Sequence, residues 1–294
     1  MSMVYHARAM ILVGVLAVAG LPGPAHAGAY AGRAVALAQG LLLELRPGKR
    51  PPGKKPRLGD VKVFVPRGFS PRAGRVDLHV HFHGQVTTAA KEMRRMQLVR
   101  QVVNSRRNVV LVVPQGPVWA RKNRWGRLHR PGGLRLMLDG VMAALAAPAP
   151  RGPGLAGARR GRVVMSVHSG GYSVAAHALA TGGVTIEELF LFDALFGYHR
   201  RFLDWAARRG RRLVTFHARR DVRRRHGRLL TMLRARGQQF RRHQGMVKLT
   251  AGQLGGAPVI VVGSRLGHYS VVHKEAYLRL CLSTSRLEVM GKQR

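Results

Sequence analysis

The sequence predicts an α/β protein built on one mostly parallel central sheet with helices on both faces. Three observations carry that expectation. Short, apolar, often β-branched runs recur at 61–65, 76–84, 108–114, 163–167, 188–193, 212–217 and 258–262. Segments with apolar residues at helical spacing separate most of them, and alternation of strand and helix is the pattern of parallel sheets with right-handed crossovers. The run Val109, Val110, Leu111, Val112, Val113 has no polar alternation, which suits a strand covered on both faces.

The chain has 294 residues, 46% of them hydrophobic, enough for a substantial core and too apolar for wholesale disorder. A weakly basic start leads into an apolar run over 10–21, broken by Pro22 and Pro24 and followed by Ala25-His26-Ala27. That is the form of a secretory signal peptide over 1–27, and the run is short for a membrane span. The mature chain is therefore expected to begin near Gly28, to work in a secreted or periplasmic setting, and to carry no transmembrane segment. Cys281 is the sole cysteine. No disulfide can form within the chain, so burial must stabilise the fold, with Cys281 as a core thiol.

Charge is extreme, with 51 Lys+Arg against 12 Asp+Glu and a formal net charge of +39. Such a field favours anionic partners. The basic residues are spread through nearly every segment and form no nucleic-acid-binding signature, so a non-specific anionic envelope surface is the expected partner rather than a nucleic-acid sequence.

In chain order, 34–45 reads as a short helix and 46–57 as a basic, Pro-rich connector, together forming an N-terminal piece over 28–59. The catalytic domain is expected over 60–294. Its strand at 61–65 is closed by Pro66 and Gly68; the strand at 76–84 ends in Gly84. Helical spacing of Met93, Met96, Val99 and Val102 covers 87–108, and a further helix covers 134–147 after a long loop with Trp119 and Trp125. Past residue 172 the expected order is helix, strand 188–193, helix 198–208, strand 212–217, a very basic helix over 222–244, strand 258–262 and a closing helix over 269–282.

The chemistry gathers at Val163-Val164-Met165-Ser166-Val167-His168-Ser169-Gly170-Gly171-Tyr172. An apolar strand ends in small residues and a helix begins at once, so Ser169 sits on a sharp turn with its hydroxyl pushed clear of the sheet. Ser169 is the expected nucleophile of a serine hydrolase. In parallel sheets ligands bind beyond the carboxyl ends of the strands. The polar residues expected there include His83, Gly84, Gln85, Gln115, Ser169, Asp193, His217, Asp221 and His268, with Ser, Asp and His in that chain order.

That order around a strand–turn–helix serine resembles the α/β-hydrolase family over roughly residues 60–285. The His168-Ser169-Gly170-Gly171 sequence stands at the centre of a G-x-S-x-G motif, with Val167 where the family has its first glycine. The resemblance implies a general base at the Gly267-His268 turn after the last strand, with no cofactor and no metal. For the acid, an apolar strand end favours Asp193, whose carboxylate needs a partner when buried; Asp221, at the commoner family position, lies among arginines where an ion pair accounts for it. Gly170 can supply one oxyanion donor, and the resemblance implies a second from Gln85 beside Gly84. His83, Trp119, Trp125 and Tyr172 are the expected substrate contacts, the tryptophans as an aromatic, cationic rim, unless they pin their loop to the core.

Two other readings remain open. His79, His81 and His83 share a strand face at period 2 and could hold a Zn²⁺ ion in a metal-dependent hydrolase, although no downstream acidic or cysteine cluster completes the site. The chain could also be a non-catalytic, cationic envelope-binding protein on a hydrolase fold. Neither substrate identity nor ester against amide preference follows from the residues.

Overall fold

The computed structural model describes residues 30–47, 59–118, 125–149, 151–218 and 220–291. The signal-like segment 1–27, most of the 46–57 connector and Trp119 lie outside these residues.

Strands β1 (Tyr30–Leu37), β2 (Gly40–Pro47) and β3 (Val61–Pro66) run antiparallel as one meander. The helix expected over 34–45 is thus two strands. Ala, Leu, Gln and Glu favour a helix intrinsically, but Gly40 sits at φ +151° and a Cβ there would lie 2.1 Å from the Val65 carbonyl oxygen. Only glycine makes that turn, and β2 then exchanges its main-chain hydrogen bonds with β3. Leu43 and Leu45, at period 2, go into the core. Pairing has overridden propensity.

β3 is antiparallel to β5 (Val110–Pro114), and β5 is parallel to β4 (Arg75–Phe82). From there the sheet is parallel through β6 (Arg159–His168), β7 (Glu188–Phe192), β8 (Arg212–His217), β10 (Val259–Ser264) and, at the far edge, β9 (Phe240–Met246). The order β1-β2-β3-β5-β4-β6-β7-β8-β10-β9 makes one mixed sheet. β9 begins within the stretch expected to be a helix over 222–244 and runs two residues past it. The helix α6 (Arg220–Ala235) ends ahead of Gly237, and the largely exposed, basic residues that follow form an edge strand with none of the apolar alternation that marks inner strands.

Helices cover both faces. One carries α3 (Gly133–Ala146), α4 (Tyr172–Thr181), α5 (His199–Ala206) and α6, packed on Val76, Leu78, Val80, Phe82, Met165 and Val167. The other carries α1 (Ala89–Arg95), α2 (Leu98–Asn104), α7 (Ser270–His273) and α8 (Tyr277–Ser283), packed on Val109, Leu111, Val164, Phe190 and Ile260. The helix expected over 87–108 is broken at Gln97, which has φ +50°. The closing helix is interrupted by a 3₁₀ turn over Lys274–Ala276. Cys281 is fully buried among the second set. Among the described residues no helix is long and apolar enough to cross a membrane.

Candidate active site

β6 runs into a single 3₁₀ turn, Ser169–Gly171, and then α4. Ser169 has φ +49°, the strained left-handed region that a non-glycine residue occupies only when its surroundings hold it there. Small neighbours make the turn feasible: Gly170 and Gly171 are buried, and a Cβ on Gly171 would stand 3.0 Å from two carbonyl oxygens of the β4 strand end. Gly84 passes equally close. A Cβ there would lie 3.1 Å from Ser169 Cβ and 3.6 Å from its Oγ. The solvent-exposed Gln85 follows.

Three strand ends converge on the Ser169 hydroxyl. His268, after β10, places Nε2 3.0 Å from Ser169 Oγ and Nδ1 2.5 Å from Asp193 Oδ2. Asp193, after β7, is fully buried, holds φ +45°, and accepts the Ala218 N–H on Oδ1 at 2.8 Å. A carboxylate on Nδ1 fixes the tautomer that leaves Nε2 as acceptor, so the hydroxyl proton can pass to His268 while Oγ attacks. Asp221 instead occupies the first turn of α6.

Beneath this chain lies a polar network that the sequence did not reveal. His79 Nε2 and His81 Nδ1 both lie 2.7 Å from Ser166 Oγ. Glu92, on α1, has Oε1 2.9 Å from His168 Nδ1 and 3.6 Å from His81 Nε2. His168 Nε2 in turn lies 3.1 Å from the His268 carbonyl oxygen. Burial pushes the imidazoles of His79 and His81 below their ordinary range, which keeps them neutral. Burial would raise the Glu92 carboxyl, but hydrogen bonds and charge from His168 and His81 outweigh it and hold the group well below the usual carboxylate range. The signal for this network was the position of His168 directly before the serine; nothing local marks Glu92.

Solved structures share this architecture, although no family model and no curated protein matches the sequence. A ferulic acid esterase aligns with TM-score 0.50 and 12% identity, covering 76% of this chain and 91% of its own. The chain has the α/β-hydrolase fold. An S-formylglutathione hydrolase from Staphylococcus aureus (TM-score 0.48, 12% identity, 91% of this chain, 100% of its own) and an IroE-like serine hydrolase from Shewanella oneidensis (0.44, 14%, 78% of each) are also similar. At such identities the likeness speaks to fold alone.

On this α/β-hydrolase scaffold, two expected substrate contacts turn inward. His83 is fully buried: Nδ1 donates to the Gly84 carbonyl at 2.7 Å and Nε2 accepts the Gly116 N–H at 2.8 Å. Trp125 is 5% exposed and packs on Phe82 and His83, with ring centroids 5.2 and 4.8 Å apart. Both brace loops against the core because their large rings bury more apolar surface there than a rim would cover. Tyr172 is half-buried beside Phe196 and Tyr198, with ring centroids at 5.6 and 6.0 Å. Burial, with the neighbouring Tyr198, raises its hydroxyl above the ordinary tyrosine range. His79, His81 and His83 do not converge on a common point, since the first two meet at Ser166 and the third is held by main chain. Among the described residues no group of three His, Cys, Asp or Glu side chains is placed to hold a metal ion.

Proposed function

We propose that the chain is an exported serine hydrolase that cleaves an ester or amide bond through an acyl-enzyme on Ser169. The observation that carries this reading is the continuous chain Asp193–His268–Ser169, with the serine on strained backbone at a strand–helix turn. Ser169 Oγ attacks the substrate carbonyl as its proton moves to His268 Nε2. The oxyanion is met by the N–H groups of Gly170 and Gln85, which Gly84 lets approach closely. Collapse expels the leaving group, protonated by His268. Water activated by the same imidazole then attacks the acyl carbonyl and frees Ser169. Asp193 holds the ring and stabilises its charged form. Tyr172 forms part of the substrate-binding mouth, and no cofactor or metal enters any step.

Export rests on the signal-like pattern over 1–27. The net charge of +39 and the exposed arginines of α6 (Arg223, Arg224, Arg225, Arg228, Arg234) favour retention at an anionic envelope surface. A purely cationic binding role would leave the strained serine and its hydrogen-bonded chain without purpose.

The test is labelling by a fluorophosphonate probe, comparing wild type with Ser169→Ala and adding chelator in parallel. Labelling that requires Ser169 and ignores chelator is expected. Hydrolysis that survives Ser169→Ala and is lost with chelator would favour the metal reading. Absence of both labelling and turnover, with tight binding to anionic vesicles, would favour the envelope-binding one.

A further inference from the structure

The buried pair under the nucleophile has a constrained protonation pattern. His168 Nδ1 faces the Glu92 carboxyl and Nε2 faces the main-chain oxygen of His268. A backbone carbonyl only accepts, so Nε2 must carry a proton. An ionised carboxylate likewise only accepts, so Nδ1 carries one too. Both ring nitrogens are then donors, and His168 is an imidazolium against Glu92. Both side chains are almost wholly buried, at 2% exposure each, and a buried charge persists only when paired and hydrogen-bonded. The neighbouring groups fit this assignment. His79 can donate to Ser166, Ser166 can donate to His81 Nδ1, and His81 Nε2–H then points at the same Glu92 oxygen, 3.6 Å away. On its outer side the His168 ring lies 4.8 Å from the His268 ring and 5.7 Å from that of Tyr269. Arg95 covers the Tyr269 ring at 3.3 Å.

The consequence concerns His268. Its imidazole is held at Nδ1 by Asp193, but its main chain sits on the loop between β10 and α7, where Arg265, Gly267 and Tyr269 are exposed. That main-chain oxygen takes a side-chain hydrogen bond from His168, one residue before the nucleophile. One ring therefore ties the nucleophile turn to the loop carrying the base.

We infer that Glu92 and His168 form a buried carboxylate–imidazolium pair that positions His268 against Ser169 by clamping its main-chain carbonyl. Both are positioning residues, touching neither substrate nor reacting atoms. The inference rests on the serine-hydrolase reading and adds to it a second carboxylate–imidazole unit acting through backbone. It also gives Glu92 a reason to be ionised at depth, which fold stability alone does not demand.

The test has two arms. The double variant Glu92→Leu, His168→Phe removes both charges together and leaves no unpaired buried ion. With an ester substrate, kcat should fall on the order of 100-fold, as expected when reacting groups lose alignment. KM should stay within about threefold, because substrate contacts are untouched. Fluorophosphonate labelling of Ser169 should slow in parallel, with circular dichroism and melting temperature close to wild type. A folded double variant that labels and turns over at wild-type rates would overturn the inference. The second arm reads the ring directly: in wild type with ¹⁵N-labelled histidine, both nitrogens of one imidazole should appear as hydrogen-bond donors. If His168, identified by its loss in His168→Phe, shows one bare nitrogen, the ion pair is wrong. Unlabelled wild-type protein would instead sink the hydrolase reading and the positioning role with it, so the two failures are told apart.

Discussion

His268 Nδ1 lies 2.5 Å from Asp193 Oδ2, joining residues 75 positions apart across the carboxyl ends of β7 and β10. The carboxylate has no exposure to water, and its other oxygen is occupied by the Ala218 N–H. It can therefore act on the imidazole without competition from solvent. Asp193→Asn keeps the shape but lets the ring adopt the tautomer that cannot accept the Ser169 proton. A loss of about 10⁴-fold in kcat is expected. Asp221→Asn, in the first turn of α6, should change the rate less than about threefold. Steady-state hydrolysis of a chromogenic ester measures both, and equal small effects would remove Asp193 from its role.

Gly84 offers a test of how tightly the loop after β4 grips Ser169. A methyl group there would stand 3.1 Å from Ser169 Cβ and 3.3 Å from His168 Nδ1. Those neighbours belong to a strained turn and to a buried ring hydrogen-bonded to Glu92, so the loop must yield. Gly84→Ala should move the Gln85 N–H away from the oxyanion position and lower kcat about 10- to 100-fold, with a melting temperature near wild type. An unchanged kcat would show that the loop supplies no donor.

The parts legible in the sequence were those whose local chemistry and tertiary role agree. The β6 run, the small residues after it and the Gly267-His268 turn each state their conformation in their own residue types. Asp193 was legible for a different reason, as a lone carboxylate ending an apolar strand. The β1–β2 hairpin was not, because its Ala, Leu and Glu residues favour a helix and only pairing with β3 decides otherwise. β9 was hidden by being a charged edge strand in which only Phe240 and Met246 pack against the core. Trp125 read as a rim residue and His83 as a substrate contact because polarity and ring character do not say which way a side chain turns. Glu92 was invisible for the same reason: on α1 it resembles any solvated helical acid until β4 and β6 close over it.

Acid should unfold the protein earlier than its charge alone implies. His226 is 1% exposed, donates from Nδ1 to the Val222 carbonyl and accepts from Thr215 on Nε2. Burial is the main cause that lowers its pKa to about 3. In the unfolded chain the group titrates near 6.5, so the unfolded state binds the extra proton first. The stabilisation is complete above about pH 6.5 and is lost as pH falls towards 3, at roughly 1.4 kcal/mol per pH unit. By pH 5 this histidine alone costs about 2 kcal/mol. Glu92, lowered from its ordinary range, adds to the loss only below about pH 4.5. Denaturant midpoints at pH 7, 6 and 5 should fall steadily in wild type and less steeply in His226→Gln. Parallel slopes would place the proton uptake elsewhere.

The opposite end of the sheet holds a buried ion pair whose loss should be felt by the whole fold. Glu188 opens β7 with no exposure, and its Oε2 lies 2.5 Å from Arg212 Nη1 at the start of β8. Its Oε1 accepts the Arg286 N–H at 2.6 Å, while Arg212 Nη2 donates to Leu254 and Thr284 at 2.7 and 2.8 Å. The pair thus fastens β7 and β8 to the chain after α8. Replacing one member leaves the other buried and uncompensated, at a cost of about 3–5 kcal/mol, whereas replacing both with apolar groups of similar volume can be neutral. Glu188→Leu should therefore lower the denaturant midpoint sharply, and Glu188→Leu with Arg212→Met should recover most of the loss. Because the pair lies at the amino ends of the strands, far from Ser169, folded protein of either variant should label with fluorophosphonate at the wild-type rate. A double variant no more stable than Glu188→Leu would mean that the main-chain bonds of Arg212, rather than its charge, are what the fold requires.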